Sequence, residues 1–185
     1  MVIDVRPQRA DEAALVHDVV ERAFGDAVVA ELWDALARRP RSLSFVAETD
    51  GEVVGHVGLT WCWIDAPDRL VDVLVLSPLS VVPERQRSGV GRALVARAID
   101  AADEQGSPLL FLEGDPAYYS RVGFEPAGPL GFTPPSVRIP MPGFQCVRLS
   151  AYDPSITGAL VYADTFWAFD CVGLRGERLE AARRR

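Results

Sequence analysis

The tightest constraint on this chain is the hexapeptide Gln86-Arg87-Ser88-Gly89-Val90-Gly91, set between an apolar run ending near Val82 and the most periodic helix in the sequence. That helix, predicted over 89–105, carries Leu94, Val95, Ala98, Ile99 and Ala102 on one face. A strand, a glycine-bearing turn and a helix in this order turn the unpaired N–H groups and positive end of the helix toward the region beyond the strand. Glycines at 89 and 91 let backbone amides approach an anion, and Arg87 and Arg92 add positive charge beside them. A bare helix cap also accounts for two glycines, so the loop alone leaves both readings open. Two phosphate loops are excluded. A nucleotide P-loop ends in Gly-Lys-Ser/Thr and this sequence holds no Lys, while a dinucleotide fingerprint needs a third spaced glycine and an early strand.

The flanking segments predict an α/β protein. Val2–Arg6 alternates like a short strand stopped by Pro7. A helix follows from Ala10 to Phe24 with Ala14, Leu15, Val19 and Phe24 as its apolar face, and a second from Ala27 to Arg38 with Val28, Leu32, Ala35 and Leu36. Strands over 43–49 and 52–63 flank Asp50-Gly51, the turn chemistry of a two-residue hairpin. A strand over 71–82 is interrupted by Ser77-Pro78 and is expected to be distorted there. Beyond the long helix come a buried strand at 108–113, a helical turn or two at 116–121 and a late strand at 144–150. Between the last two, six prolines and four glycines in residues 123–143 predict a long irregular loop. The order β, α, α, β, β, β, α, β, α, β implies a sandwich around one mixed sheet. We read residues 1–170 as one domain and 171–185 as a C-terminal tail, with Arg183-Arg184-Arg185 as a frayed, solvated end.

Composition narrows the function classes. A net charge of −7 speaks against a nucleic-acid partner, whose phosphates are neutralised by Lys and Arg. No stretch reaches the roughly 18 uninterrupted apolar residues of a membrane span, and Met1–Arg6 does not read as a secretory leader, so a cytoplasmic protein is expected. Cys62, Cys146 and Cys171 lack the paired spacing of a zinc site; reduced, structural thiols and no metal are expected.

Taken together these residues resemble the GNAT N-acetyltransferases, whose Gln/Arg-x-x-Gly-x-Gly/Ala loop is matched by Gln86–Gly91 at every fixed position. Leu79-Ser80-Val81 and Pro83 resemble that family's bulged strand before the loop, and Tyr119–Phe124 its later Tyr-x-x-x-Gly-Phe segment. The order of elements agrees from about Val2 to Leu149. Gly114-Asp115-Pro116-Ala117-Tyr118-Tyr119 further resembles a bacterial subgroup of small, mostly uncharacterised members.

The resemblance implies an acyl-CoA N-acyltransferase fold, with a mixed central sheet splayed at the β-bulge into a wedge. It implies acetyl-CoA as co-substrate: backbone groups of Leu79, Ser80 and Val81 on the pantetheine arm, and amides of Arg87, Ser88, Gly89, Val90, Gly91 and Arg92 on the pyrophosphate. It implies direct transfer to the amine of a small molecule or a protein N-terminus, without an acyl-enzyme, and pairing as a homodimer. Tyr119 takes the place of the acid near the sulfur, with a packed aromatic as its bland alternative; Tyr118 reads as packing. Glu113 takes the place of the base, against Asp115 or ordered water alone. An acyl-CoA-binding regulatory module with little transfer activity is the alternative reading.

Other candidates are weaker. Val53, Val57, Leu59, Trp61 and Trp63 share a strand face opposite His56, which reads as a hydrogen-bonded or solvent-exposed histidine; His17 reads as a surface residue. Cys62 and Cys146 have no basic neighbour in sequence to make a reactive thiolate. Trp33, Trp61, Trp63 and Phe132 suit either an acceptor pocket or the core.

Overall fold

A computed structural model describes residues 2–183. The chain forms β1 (Asp4–Pro7), α1 (Ala13–Phe24), α2 (Ala27–Ala37), β2 (Leu43–Thr49), β3 (Glu52–Asp65), β4 (Leu70–Val81), α3 (Val90–Glu104), β5 (Leu109–Glu113), α4 (Pro116–Tyr119), β6 (Glu125–Pro126), β7 (Phe132–Thr133), β8 (Phe144–Arg148), β9 (Gly158–Val161), α5 (Asp164–Ala168) and α6 (Gly176–Arg183). Arg184 and Arg185, read from the sequence as part of a frayed end, lie outside the described residues. The strands pair in the order β1-β2-β3-β4-β5-β8-β6, with β9 on β3 and β7 on β9. β4–β5 and β7–β9 run parallel and the β1–β2, β2–β3, β3–β9, β5–β8 and β6–β8 pairs antiparallel, so the sheet is mixed as expected.

By contacts the chain divides into two compact units, one running to Thr60 and resuming over Leu76–Ala101, the other comprising Trp61–Val75 and the chain from Ala102 onward. In the first, Asp50 and Gly51 take φ of 55° and 81°, the left-handed pair that a two-residue hairpin turn demands. Two glycines of β3 set how the helices pack. A Cβ on Gly55 would come 2.9 Å from both Leu94 and Val90 of α3 and 3.0 Å from the Ser80 carbonyl; one on Gly58 would strike the Trp33 ring of α2. Trp33 is 1% exposed and rests 4.7 Å from the His56 ring, centroid to centroid.

The helix faces differ partly from expectation. α1 buries Val16, Val19 and Val20 and leaves Leu15 and Phe24 exposed, while α2 buries Ala30, Leu32, Trp33 and Leu36 and exposes Val28. Apolar residues occur on two stripes of α1, so period alone does not choose between them. The notch at Gly58 selects Trp33. On α3 the expected face holds, with Leu94, Val95, Ala98 and Ala102 buried.

In the second unit Phe111 stacks at 5.6 Å on Phe144 and meets Phe132 edge-on at 5.2 Å, placing Phe132 in the core. β5 pairs with β4 at Leu74↔Leu110 and Val75↔Phe111 and with β8 along its whole length. Within β4 the Ser77–Pro78 peptide is cis, at the position where distortion was expected. Cys171–Leu174, inside the stretch read as a tail, is packed: Val172 is fully buried and Leu174 N–H donates to the Arg138 carbonyl at 2.9 Å.

Candidate active site

The loop after β4 is built to leave backbone donors free. Val82 N–H donates to the Val54 carbonyl at 3.0 Å and the Gln86 side-chain amide to the Val81 carbonyl at 3.1 Å, so the turn is fastened at both sides to its own strands. Arg87 and Gly89 have φ of +58° and +95°, left-handed positions that fold the chain back on itself. The first helical bond of α3 shown at this end runs from Ala93 N–H to the Gly89 carbonyl at 3.0 Å, and N–H groups in a helix's first turn have no acceptor within the helix. Arg87, Ser88, Gly89 and Arg92 are exposed and Val90 is buried beneath them. A helix start of this kind offers backbone amides that an anion can accept from, and Arg87 and Arg92 are the basic residues of this stretch. On β4, Leu79 and Val81 are half-buried, and Ser80 is buried with its hydroxyl unpartnered. A buried unpaired hydroxyl is the kind of group a polar ligand satisfies. The residues present therefore fit a long, polar, phosphorylated ligand.

In the second unit, β5 ends at Glu113, whose carboxylate accepts from Gly173 N–H at 3.2 Å. Burial pushes this carboxyl above its usual range, against the opposing pull of nearby Tyr162, the Gly173 amide and Arg138. Asp115 caps α4 by accepting from Ala117 N–H at 2.9 Å, a structural task. Tyr119 lies half-buried at the end of α4, edge-on to Phe124 at 5.6 Å and to Tyr118 at 4.9 Å, over the bare Cα of Gly114. Burial, with Tyr118 beside it, drives its phenol upward, so it keeps its proton throughout the physiological range. Tyr118 is 38% exposed, a rim residue more than a packed one.

His56 is fully buried, which removes the exposed alternative. Its Nε2 meets Ser44 Oγ at 3.0 Å, and Ser44 donates in turn to the Gln8 amide oxygen; burial holds the imidazole down at about 3. A histidine neutral at every working pH is part of the scaffold. His17 is not free on the surface but bonded through Nδ1 to Asp34 at 2.8 Å. That pair lines a pocket of about 430 Å3 along α1 and α2, with Gln8, Trp33 and Arg38 among its walls. Trp61 and Trp63 are half-buried on β3. Burial raises the Cys146 thiol to about 12, the opposite of a reactive thiolate. Among the described residues no cluster of His, Cys, Asp or Glu is placed to hold a metal ion, and no helix is long and apolar enough to cross a membrane.

Comparison with known proteins decides what this arrangement belongs to. Residues 4–127 match the family model of an acetyltransferase (GNAT) domain. The chain is a member of the GNAT family. The uncharacterized N-acetyltransferase YjhQ of Escherichia coli K12 is 34% identical over 161 residues, 83% of this chain and 88% of that protein. The GNAT family N-acetyltransferase YhbS of Escherichia coli, crystallised with CoA, superposes with a TM-score of 0.80 at 27% identity, over 89% of this chain and 91% of that one. A GNAT family acetyltransferase from Brucella melitensis in complex with acetyl-CoA superposes with a TM-score of 0.71 at 28% identity, over 89% and 98%. The GNAT match ends at 127, before Arg138, Tyr162 and Gly173. These three surround Glu113 and were missed in the sequence, where no local pattern links them to it.

Proposed function

We propose that the protein is a cytoplasmic N-acetyltransferase that moves the acetyl group of acetyl-CoA directly onto the amine of a small molecule. The observation that carries this is the Gln86–Arg92 loop, with its left-handed turns and free amides, in a chain of the GNAT family. The amides of Arg87 through Arg92 bind the pyrophosphate, and the backbone of Leu79, Ser80 and Val81 pairs with the pantetheine arm. In the transfer, the amine nitrogen bonds to the acetyl carbon and the carbon–sulfur bond breaks. Glu113 accepts the amine's proton; its upward-shifted carboxyl is a stronger base than an exposed one. Tyr119, held as a phenol, gives its proton to the departing sulfur. A pocket of about 430 Å3 is the size that small molecules fill, and supports a small amine over a protein N-terminus as acceptor. A homodimer belongs to the same proposal; sedimentation at twice the monomer mass supports it and sedimentation as a monomer counts against it.

Calorimetric titration with acetyl-CoA tests the donor site. The wild type is expected to bind at micromolar concentration, and a Gly89→Asp/Gly91→Asp variant, which sets carboxylates where the pyrophosphate lies, to lose binding by 100-fold or more, on the order of 3 kcal/mol. No binding by the wild type overturns the proposal.

A further inference from the structure

The pocket along α1 and α2 carries its charges in an order that selects among small amines. Only Gly25 and Asp26 separate the two helices, and His17 and Asp34, equally far from that turn, meet at 2.8 Å. The helices therefore lie side by side in opposite directions, the start of α1 next to the end of α2. Gln8, a few residues ahead of α1, and Arg38, directly after α2, line the pocket at that end. The His17–Asp34 pair lines it about one helical turn further along. Alanines of both helices complete the wall with Trp33, and their short side chains leave a gap of about 430 Å3.

The polar groups of this wall are each committed on one side only. Asp34 and Arg38 stand at i and i+4, the spacing at which opposite charges on a helix ordinarily pair. Asp34 instead turns Oδ2 to His17, whose Nε2 is 3.8 Å from Glu21 Oε2. Arg38 is exposed and has no ion pair among the described residues, so its guanidinium is open to a ligand. Gln8 is oriented from within the fold. Ser44 Oγ donates to Gln8 Oε1 and lies 3.0 Å from Nε2 of the buried His56, whose Nδ1 has no partner among the described residues. The hydroxyl's single hydrogen goes to Gln8, so the donor to Ser44 is His56 Nε2–H. With its oxygen taken, Gln8 has its NH2 group left for the pocket. Two donor groups, one a cation, thus stand at one end, and a carboxylate stands on the order of 5–6 Å away along α2.

We propose that this pocket binds a free amino acid: Arg38 and the Gln8 amide take its carboxylate, and Asp34 takes its ammonium. A guanidinium meets a carboxylate with two parallel N–H donors, and an amine that lacks the carboxylate leaves them unanswered. An acid that lacks the amine faces the Asp34 carboxylate instead. That the bound amino acid is also the acetyl acceptor rests on the function proposed above.

The test is calorimetric titration of the whole protein with a panel of L-amino acids, each beside the amine left when its carboxylate is removed, for the wild type, Arg38→Gln and Asp34→Asn. At least one amino acid is expected to bind the wild type about tenfold or more tighter than its amine. Arg38→Gln is expected to abolish that preference, weakening the amino acid about tenfold or more while the amine stays within about twofold. Asp34→Asn is expected to weaken both. Amino acid and amine bound equally by the wild type, no amino acid bound at all, or a preference that Arg38→Gln leaves unmoved overturns the proposal. Acetylation of other amines, read separately by thiol release, then leaves the proposed function standing. An amino acid that binds through Arg38 but yields no N-acetyl product with acetyl-CoA upholds the binding site and overturns its role as the acceptor site.

Discussion

Gly114→Ala is the sharpest mechanical test of Tyr119, because it changes the tyrosine's position without touching its chemistry. Gly114 has no left-handed φ, so alanine meets no backbone strain; what it meets is the ring. The added methyl would sit 2.7 Å from Tyr119 Cδ2 and closer still to Cε2, where ordinary contact begins at 3.4 Å, so the ring must retreat by at least ~0.7 Å at Cδ2. Phe124 edge-on at 5.6 Å and Tyr118 at 4.9 Å stand next to the same ring. Misplacing a reacting group by about 1 Å costs on the order of 100-fold, about 2.7 kcal/mol of barrier, and overpacking costs about 1–3 kcal/mol of stability. The assay is thiol release from acetyl-CoA at saturating amine, with KM for acetyl-CoA measured alongside and folding checked by circular dichroism. We expect kcat to fall ~30- to 100-fold with KM for acetyl-CoA within about threefold, and Tyr119→Phe to fall at least as far. A folded Gly114→Ala enzyme whose kcat stays within twofold, while Tyr119→Phe loses activity, refutes the reasoning from ring position.

Other consequences follow from the same contacts. Gly58→Ala drives a methyl into the Trp33 ring, where Cε3 would lie 2.6 Å away, and should cost about 1–3 kcal/mol, seen as a melting temperature lower by roughly 3–10 °C. His56 titrates near 3 in the folded chain and near 6.5 when unfolded, so its contribution is complete above pH 6.5 and is lost as pH falls toward 3. Urea unfolding should therefore show stability dropping by up to ~1.4 kcal/mol per pH unit below 6.5, and His56→Gln should flatten that slope; equal slopes contradict the assignment. Asp34→Asn, which neutralises one wall of the α1–α2 pocket, should raise KM for a small amine about tenfold and leave KM for acetyl-CoA unchanged. An unchanged amine KM removes that pocket from acceptor binding.

Much of this was legible because the decisive signals are local. Asp50-Gly51 specifies its hairpin through two φ angles, and the Gly89 turn with the α3 stripe specifies a strand–loop–helix unit, each within a few residues. The features that escaped depend on distant partners. Nothing within α1 says that Val16 and Val20 face inward while Leu15 and Phe24 do not. Trp33 is a core residue because Gly58, on another strand, leaves room for it. His56 alternates onto the expected face, yet the face opposite the α3 side is covered too, by Trp33, and so the histidine is buried. Glu113 stood out as a carboxylate at a strand end, but the Gly173 amide that donates to it comes from 60 residues away, and a backbone N–H carries no sequence signature.

The most direct measurement is product detection: purified protein incubated with isotopically labelled acetyl-CoA and a panel of small primary amines, with the products resolved by mass spectrometry. The account predicts labelled N-acetyl product and free thiol in equal amounts from at least one amine, abolished by Gly89→Asp/Gly91→Asp and strongly reduced by Tyr119→Phe. Acetyl-CoA bound tightly but left intact across the panel, with Tyr119→Phe indistinguishable from the wild type, would contradict it.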